Sequence, residues 1–167
     1  KAGTPTMGGV LIVDAVMVST FLWADLTNHY VWTAVIATLG YAAVGFADDY
    51  IKINRNSSAG LSGKYKIVLE AFIALCVILF LASVNGSDTR LMMPLFKRVM
   101  PDLGWFYLVF ALVVILGSSN AVNLTDGLDG LAIMPVVIVA GTYATFAYLV
   151  AREDTTQYLY LPFIGGA

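Results

Sequence analysis

The run Ile67-Val68-Leu69-Glu70-Ala71-Phe72-Ile73-Ala74-Leu75-Cys76-Val77-Ile78-Leu79-Phe80-Leu81-Ala82-Ser83-Val84 carries one charged side chain, Glu70, among apolar neighbours. Wound as an α-helix at 1.5 Å per residue it is roughly 27 Å long, close to the ~30 Å hydrocarbon core of a bilayer. Four more runs of this kind occupy residues 7–24, 31–47, 105–122 and 131–151, each bounded by polar, Gly or Pro positions. The whole composition agrees. Of the 167 residues 59% are hydrophobic and 12% charged, against about 25% charged in a soluble domain, and mean hydropathy is +0.82. An ordinary water-soluble globule is excluded. The sequence predicts an all-α, polytopic transmembrane helical bundle with about five spanning helices, in a single transmembrane domain over residues 1–167.

Net charge is −2 and the pI is near 5.1, so no basic field draws nucleic acid, which is set aside as a partner. The single cysteine, Cys76, lies inside a span and offers neither a disulfide framework nor a Cys/His metal signature. The opening Lys1-Ala2-Gly3-Thr4-Pro5-Thr6 has neither the charged n-region nor the apolar h-region of a signal peptide, and the expectation is a chain that starts within a longer protein. Alternation of five spans places the N-terminal stretch, residues 48–66 and residues 123–130 on one face of the membrane. That face holds Lys1, Lys52, Arg55, Lys64 and Lys66, and the other holds Arg90, Lys97, Arg98 and Arg152. Five cations against four leave orientation open under the positive-inside rule. Residues 85–104 are long for a helix–helix link. They mix apolar and basic side chains from Leu91 to Met100, which suits a segment lying in the membrane interface between the third and fourth spans.

Carboxylates are expensive in hydrocarbon, so their placement is informative. Asp48 and Asp49 close the second span, and Asn120, Asn123, Asp126 and Asp129 join the fourth span to the fifth on the same predicted face. Neighbours on a helix point about 100° apart, so Asp48 and Asp49 are expected to do different jobs, while two like charges packed together resist joint ionisation. A divalent cation relieves that repulsion, and sparse oxygen ligands completed by water and phosphate are what Mg²⁺ takes. Lys1 and Lys64 are then candidates to meet phosphate as point charges. Plainer readings stand beside these. An Asp-Asp pair after a span also serves as a solvated flank, and residues 123–130 as a Gly-rich turn in which an Asp caps the fifth helix. His29 reads as a loop residue and Asp14 as structural, either near a wet or polar helix interface or as a cost tolerated by snorkelling. Cys76 and the aromatic residues at span ends read as packing and anchoring groups. Glu70 pairs with Lys66 at i, i+4 and takes no chemistry.

Three strings, Lys1-Ala2-Gly3-Thr4-Pro5-Thr6-Met7-Gly8-Gly9, Gly45-Phe46-Ala47-Asp48-Asp49-Tyr50 and Asn120-Ala121-Val122-Asn123-Leu124-Thr125-Asp126-Gly127-Leu128-Asp129-Gly130-Leu131-Ala132, resemble the phospho-N-acetylmuramoyl-pentapeptide transferase family. That family lies within the polyprenyl-phosphate N-acetylhexosamine-1-phosphate transferase superfamily, which shares the two Asp motifs. The resemblance implies Mg²⁺-dependent transfer of phospho-MurNAc-pentapeptide from its UDP carrier to undecaprenyl phosphate, with release of UMP. It places the reaction at the cytoplasmic face of the bacterial inner membrane, in a homodimer among membrane lipid. By the same resemblance Asp48 is the carboxylate that activates the lipid phosphate and a metal contact, with Asp49 supporting it. Asn123, Asp126 and Asp129 serve the nucleotide-sugar site, Asp126 and Asp129 also catalysis. Lys1 and Asp129 lie near the uracil, with Thr6 close by, and Lys64 faces the diphosphate. The family pattern continues with a Phe-Met-Gly-Asp motif and a His-rich loop that do not occur here. The expectation is therefore an interior portion of the enzyme that does not turn over alone. A superfamily member using UDP-GlcNAc is the nearest alternative. A transporter, which would carry its carboxylates at the membrane midplane, and a noncatalytic scaffold come from other classes.

Overall fold

The computed structural model describes residues 8–55, 60–85, 89–91, 100–125, 131–161 and 163. The elements are α1 (Gly8–Trp23), α2 (His29–Asn54), α3 (Gly63–Asn85), α4 (Phe106–Thr125), α5 (Ile133–Val150) and α6 (Glu153–Leu159), with no strand among the described residues. By length and composition α2, α3, α4 and α5 are able to cross a membrane, whereas α1 is apolar but has 16 residues. The protein is a polytopic helical bundle, as its apolar runs require.

The chain divides into two compact units, residues 1–117 and 118–167. In the first, α1 packs on α2 and α2 on α3. The turn between α1 and α2 is built by short polar side chains. Asp25 accepts the backbone N–H and hydroxyl of Thr27 at 2.9 and 2.7 Å, and Asn28 caps α2 by accepting the Tyr30 N–H at 2.9 Å. Such a cap satisfies one of the donors a helix start leaves open. Trp32 donates its indole N–H to the Leu26 carbonyl at 2.8 Å, tying α2 back to the turn. At the seam of α2 and α3 the helices approach closely because residue 40 has no side chain. A Cβ on Gly40 would lie 2.7 Å from Cγ2 of Ile73. The Tyr41 hydroxyl donates to the Glu70 carbonyl at 3.2 Å beside it, and Val44, Ala74, Val77 and Ile78 are buried.

In the second unit α5 packs on α6. Pro135 falls in the first turn of α5, where its missing N–H costs no helical hydrogen bond. The cap position is Ala132, with no side-chain bond of its own, and Asp126 and Asp129 lie outside the described residues. Residues 152–167, read from sequence as a tail, contain α6, which ends on Tyr160 in the left-handed conformation.

Two boundaries differ from the sequence expectation. The second span does not close at Asp48 and Asp49. Instead α2 runs to Asn54, because Tyr50-Ile51-Lys52-Ile53 continues without a helix breaker. His29 accordingly opens α2 rather than lying in the loop. In the connector after α3, residues 89–91 and 101–103 pair antiparallel: the Leu91 N–H donates to the Pro101 carbonyl at 3.0 Å and the Leu103 N–H to the Thr89 carbonyl at 3.1 Å, with Arg90 opposite Asp102. Asp102 accepts from the Thr89 hydroxyl and from the Gly104 N–H at 3.0 Å. Gly104, at φ +52°, supplies the left-handed turn into α4. Most of the expected interfacial segment, residues 92–99, lies outside the described residues.

Candidate active site

The last two turns of α2 carry Asp48, Asp49 and Lys52. Anionic side chains near a helix C-terminus face the negative end of the macrodipole, so this pair needs a cation. Lys52 provides it. Its ammonium lies 2.5 Å from Oδ2 of Asp48 and 3.4 Å from Oδ1 of Asp49. The returning chain then closes over Asp48. The Leu61 N–H donates to Oδ1 at 2.6 Å, and Gly60 presses so close that a Cβ there would overlap this oxygen and sit 2.7 Å from Cε of Lys52.

The two carboxylates thus differ as the 100° rule predicts. The Asp48 side chain is 14% exposed, with both oxygens engaged. Asp49 is 45% exposed and turns the other way, into a groove between α1 and α2 of about 460 Å³. Val10, Val13 and Asp14 line the groove from α1, and Ala42, Phe46 and Asp49 from α2. Asp14 therefore stands at the α1–α2 interface. The groove is apolar along most of its length, and Asp49 supplies a charge at one end.

Lys52 was not singled out by sequence reasoning, although its signal was present: an acid–lysine spacing of three and four on one helix. Lys64 is in the first turn of α3 and is exposed. Lys66, two residues on, is the α3 cation whose charge reaches Asp48. It pairs with Glu70 at 4.0 Å, the i, i+4 contact expected from sequence. Asn123 occupies the last turn of α4 in the second unit, exposed. Lys1, Thr6, Asp126 and Asp129 lie outside the described residues.

Mg²⁺ is tested against the donors in view. Among the described residues no three His, Cys, Asp or Glu side chains gather. Asp48 and Asp49 nevertheless form a hard oxygen pair around an ammonium, which shows that the site accepts positive charge, and Mg²⁺ is commonly held by only one or two carboxylates with water and phosphate. The donor chemistry fits.

Residues 31–166 match the family model described as Glycosyl transferase family 4, and residues 1–13 match the Phospho-N-acetylmuramoyl-pentapeptide-transferase signature 1. A protein named phospho-N-acetylmuramoyl-pentapeptide-transferase from Syntrophus aciditrophicus (strain SB) is 51% identical over 166 residues, which is 99% of this chain and 46% of the relative. Proteins of the same name from Maricaulis maris (strain MCS10) and Phenylobacterium zucineum (strain HLK1) are 48% and 47% identical, over 100% and 99% of this chain and 47% of each relative. The chain spans about half the length of the curated relatives it matches.

Proposed function

This chain belongs to glycosyl transferase family 4, and from that premise we propose that it serves a phosphoglycosyl transferase that moves phospho-MurNAc-pentapeptide from UDP to undecaprenyl phosphate. The products are UMP and lipid I, the first lipid-linked intermediate of peptidoglycan. The observation that carries this reading is identity of 51% across 99% of the chain with a protein named for that transfer. The site faces the cytoplasm in a bacterial inner membrane, and the enzyme is a homodimer, as the family resemblance implies.

An anionic lipid phosphate must approach an anionic diphosphate. Phosphoryl transfer asks the protein chiefly for alignment and charge neutralisation. Two observations support this reading: Lys52 pairs with Asp48, and Leu61 and Lys52 together fix the Asp48 carboxylate in one orientation, with Lys64 and Lys66 following in the first turn of α3. Asp48 takes the proton that remains on the lipid phosphate, releasing Lys52 as it does so. Asp49, the more exposed of the pair, meets the solvated side of the substrate. Asn123, Asp126 and Asp129 hold the nucleotide-sugar with Lys1 and Thr6. Asp48 and Asp49 would hold Mg²⁺, which when bound offsets negative charge on the diphosphate.

The test is UMP release from UDP-MurNAc-pentapeptide by membranes containing the full-length protein, with undecaprenyl phosphate supplied, with and without Mg²⁺, and with UDP-GlcNAc as the competing donor. Asp48→Asn is expected to lower kcat by about 10²–10⁴, the range for removal of a general base. Near-normal turnover of that variant at every pH would remove Asp48 from the base role, and preference for UDP-GlcNAc would move the enzyme to the neighbouring branch of the superfamily.

A further inference from the structure

Glu70 is the most buried charged residue among those described, 3% exposed, in a helix whose spanning window has a mean hydropathy of 2.8. A carboxylate so placed is retained only with a partner. Its partner is one turn nearer the start of α3. Nζ of Lys66 stands 4.0 Å from Oε1 of Glu70, and the Lys66 side chain is itself mostly buried. The same ammonium acts electrostatically on Asp48 of α2. The Tyr41 hydroxyl bonds the Glu70 carbonyl, which holds α2 and α3 in register at this level. Lys66 is therefore paired with one acid, Glu70 on its own helix, in the first turn of a helix whose approach binds a second, Asp48, through the Leu61 N–H at 2.6 Å.

The arrangement distinguishes the two lysines of α3. Lys64 lies about 200° around the helix from Lys66 and is exposed. Lys66 carries a long stem with many rotamers, and without Glu70 its head is free to turn outward to water. The Glu70 carboxylate one turn on holds it at the start of α3, where Leu61 bonds Asp48, with donors left over for another anion.

We propose that Glu70 is a positioning residue of the transferase site, holding the Lys66 ammonium at the Asp48 end of α3 so that it meets a phosphate oxygen arriving at Asp48. This inference rests on the functional reading above and adds to it the Lys66–Glu70 pair, which sequence reasoning had treated as structure alone.

The experiment uses the full-length protein in membranes and compares Glu70→Gln, Lys66→Met and the double variant. Glu70→Gln preserves size and polarity, so the fold is expected to survive, as thermal unfolding in detergent will report. It is expected to lower kcat and kcat/KM together by about tenfold with KM unchanged, the pattern of a lost transition-state contact. In the Lys66→Met background the same change is expected to have an effect of less than about twofold, because Glu70 then has nothing to position. A second readout needs no turnover. Acylation of Lys66 by a water-soluble amine reagent, followed by mass spectrometry, is expected to quicken by about fivefold in Glu70→Gln, with Lys64 unchanged as the internal reference. Equal acylation of Lys66 in both proteins, or effects of the two substitutions that multiply, overturns the proposal. Absence of transfer by the unsubstituted protein overturns the transferase reading, and the acylation comparison then decides the Lys66–Glu70 pairing by itself.

Discussion

Gly60→Ala tests the closure over Asp48 with one methyl group. The added Cβ would fall on Oδ1 of Asp48, 2.8 Å from its Cγ and 2.7 Å from Cε of Lys52. Side-chain tips usually step aside from such an intrusion, but here the carboxylate is pinned from two sides, by the Leu61 N–H at 2.6 Å and by the Lys52 ammonium at 2.5 Å. Asp48 escapes the methyl only by giving up one of these. Loss of a hydrogen bond to a charged acceptor is worth about 1.5–3 kcal/mol. Gly→Ala at a compatible backbone position returns about 0.4–1 kcal/mol through the unfolded chain. The net destabilisation is therefore about 1–2 kcal/mol. If the fixed orientation of Asp48 matters in the transition state, the whole hydrogen-bond term appears in the rate, about 10- to 100-fold in kcat/KM at ~1.4 kcal/mol per factor of ten. UMP release under subsaturating donor measures the rate, and thermal unfolding in detergent measures the stability. In an Asp48→Asn background the alanine is expected to add little, since both changes act through the same carboxylate. Gly60→Ala with kcat/KM within about twofold of the parent would refute the reasoning, because the Leu61 clamp would then have no part in catalysis.

Further outcomes follow from other contacts. Lys52→Met removes the shared partner of Asp48 and Asp49; after allowance for solvent screening of these partly exposed groups it is expected to lower stability by about 1 kcal/mol, with a larger relative loss in UMP release. Gly40→Ala drives a methyl to 2.7 Å from Cγ2 of Ile73 and is expected to destabilise the α2–α3 seam by about 1–3 kcal/mol, with Ile73→Ala restoring thermal stability in the double variant. Asn28→Ala deletes the α2 cap and is expected to lower stability by about 1 kcal/mol, read by the same unfolding assay. The antiparallel pairing after α3 supplies a pH test. The Thr89 hydroxyl, and then the Gly104 N–H, hold the Asp102 carboxyl below its ordinary value of 3.8. A carboxyl depressed in the folded state contributes stability above the unfolded pKa and loses it as pH falls through the lowered value. Protection of the Leu103 amide against hydrogen exchange is thus expected to be level above about pH 4 and to decline below it, and Asp102→Asn should abolish that decline.

What the sequence disclosed and what it hid follow from the range of the forces involved. The apolar runs were legible because a bilayer reads hydrophobicity additively along one helix, and α2 to α5 answer to them. The 100° divergence of Asp48 and Asp49 was legible for a similar reason: helical geometry alone sends one toward α3 and Leu61 and the other toward the α1 groove. The end of α2 was not legible. Asp48 and Asp49 look like the start of a solvated flank, and only the ammonium one turn later makes them tolerable inside a helix that continues to Asn54. Gly60 was illegible in a stronger sense. Its requirement comes from the backbone meeting a side chain 12 residues earlier, a contact for which no local pattern exists. Glu70 marks the boundary between the two cases. Its pairing with Lys66 follows from spacing and was anticipated, but the third member, Asp48, sits on another helix and is tied to the approach of α3 by the Leu61 N–H, and it is that tertiary contact which turns a helix-stabilising pair into a means of aiming a cation. Local pairs in a membrane helix accordingly deserve a second reading wherever a neighbouring helix brings a charge to their open side. Within hydrocarbon an ion pair contributes little net stability compared with apolar packing, so its retention points to what the paired charge does for a third group.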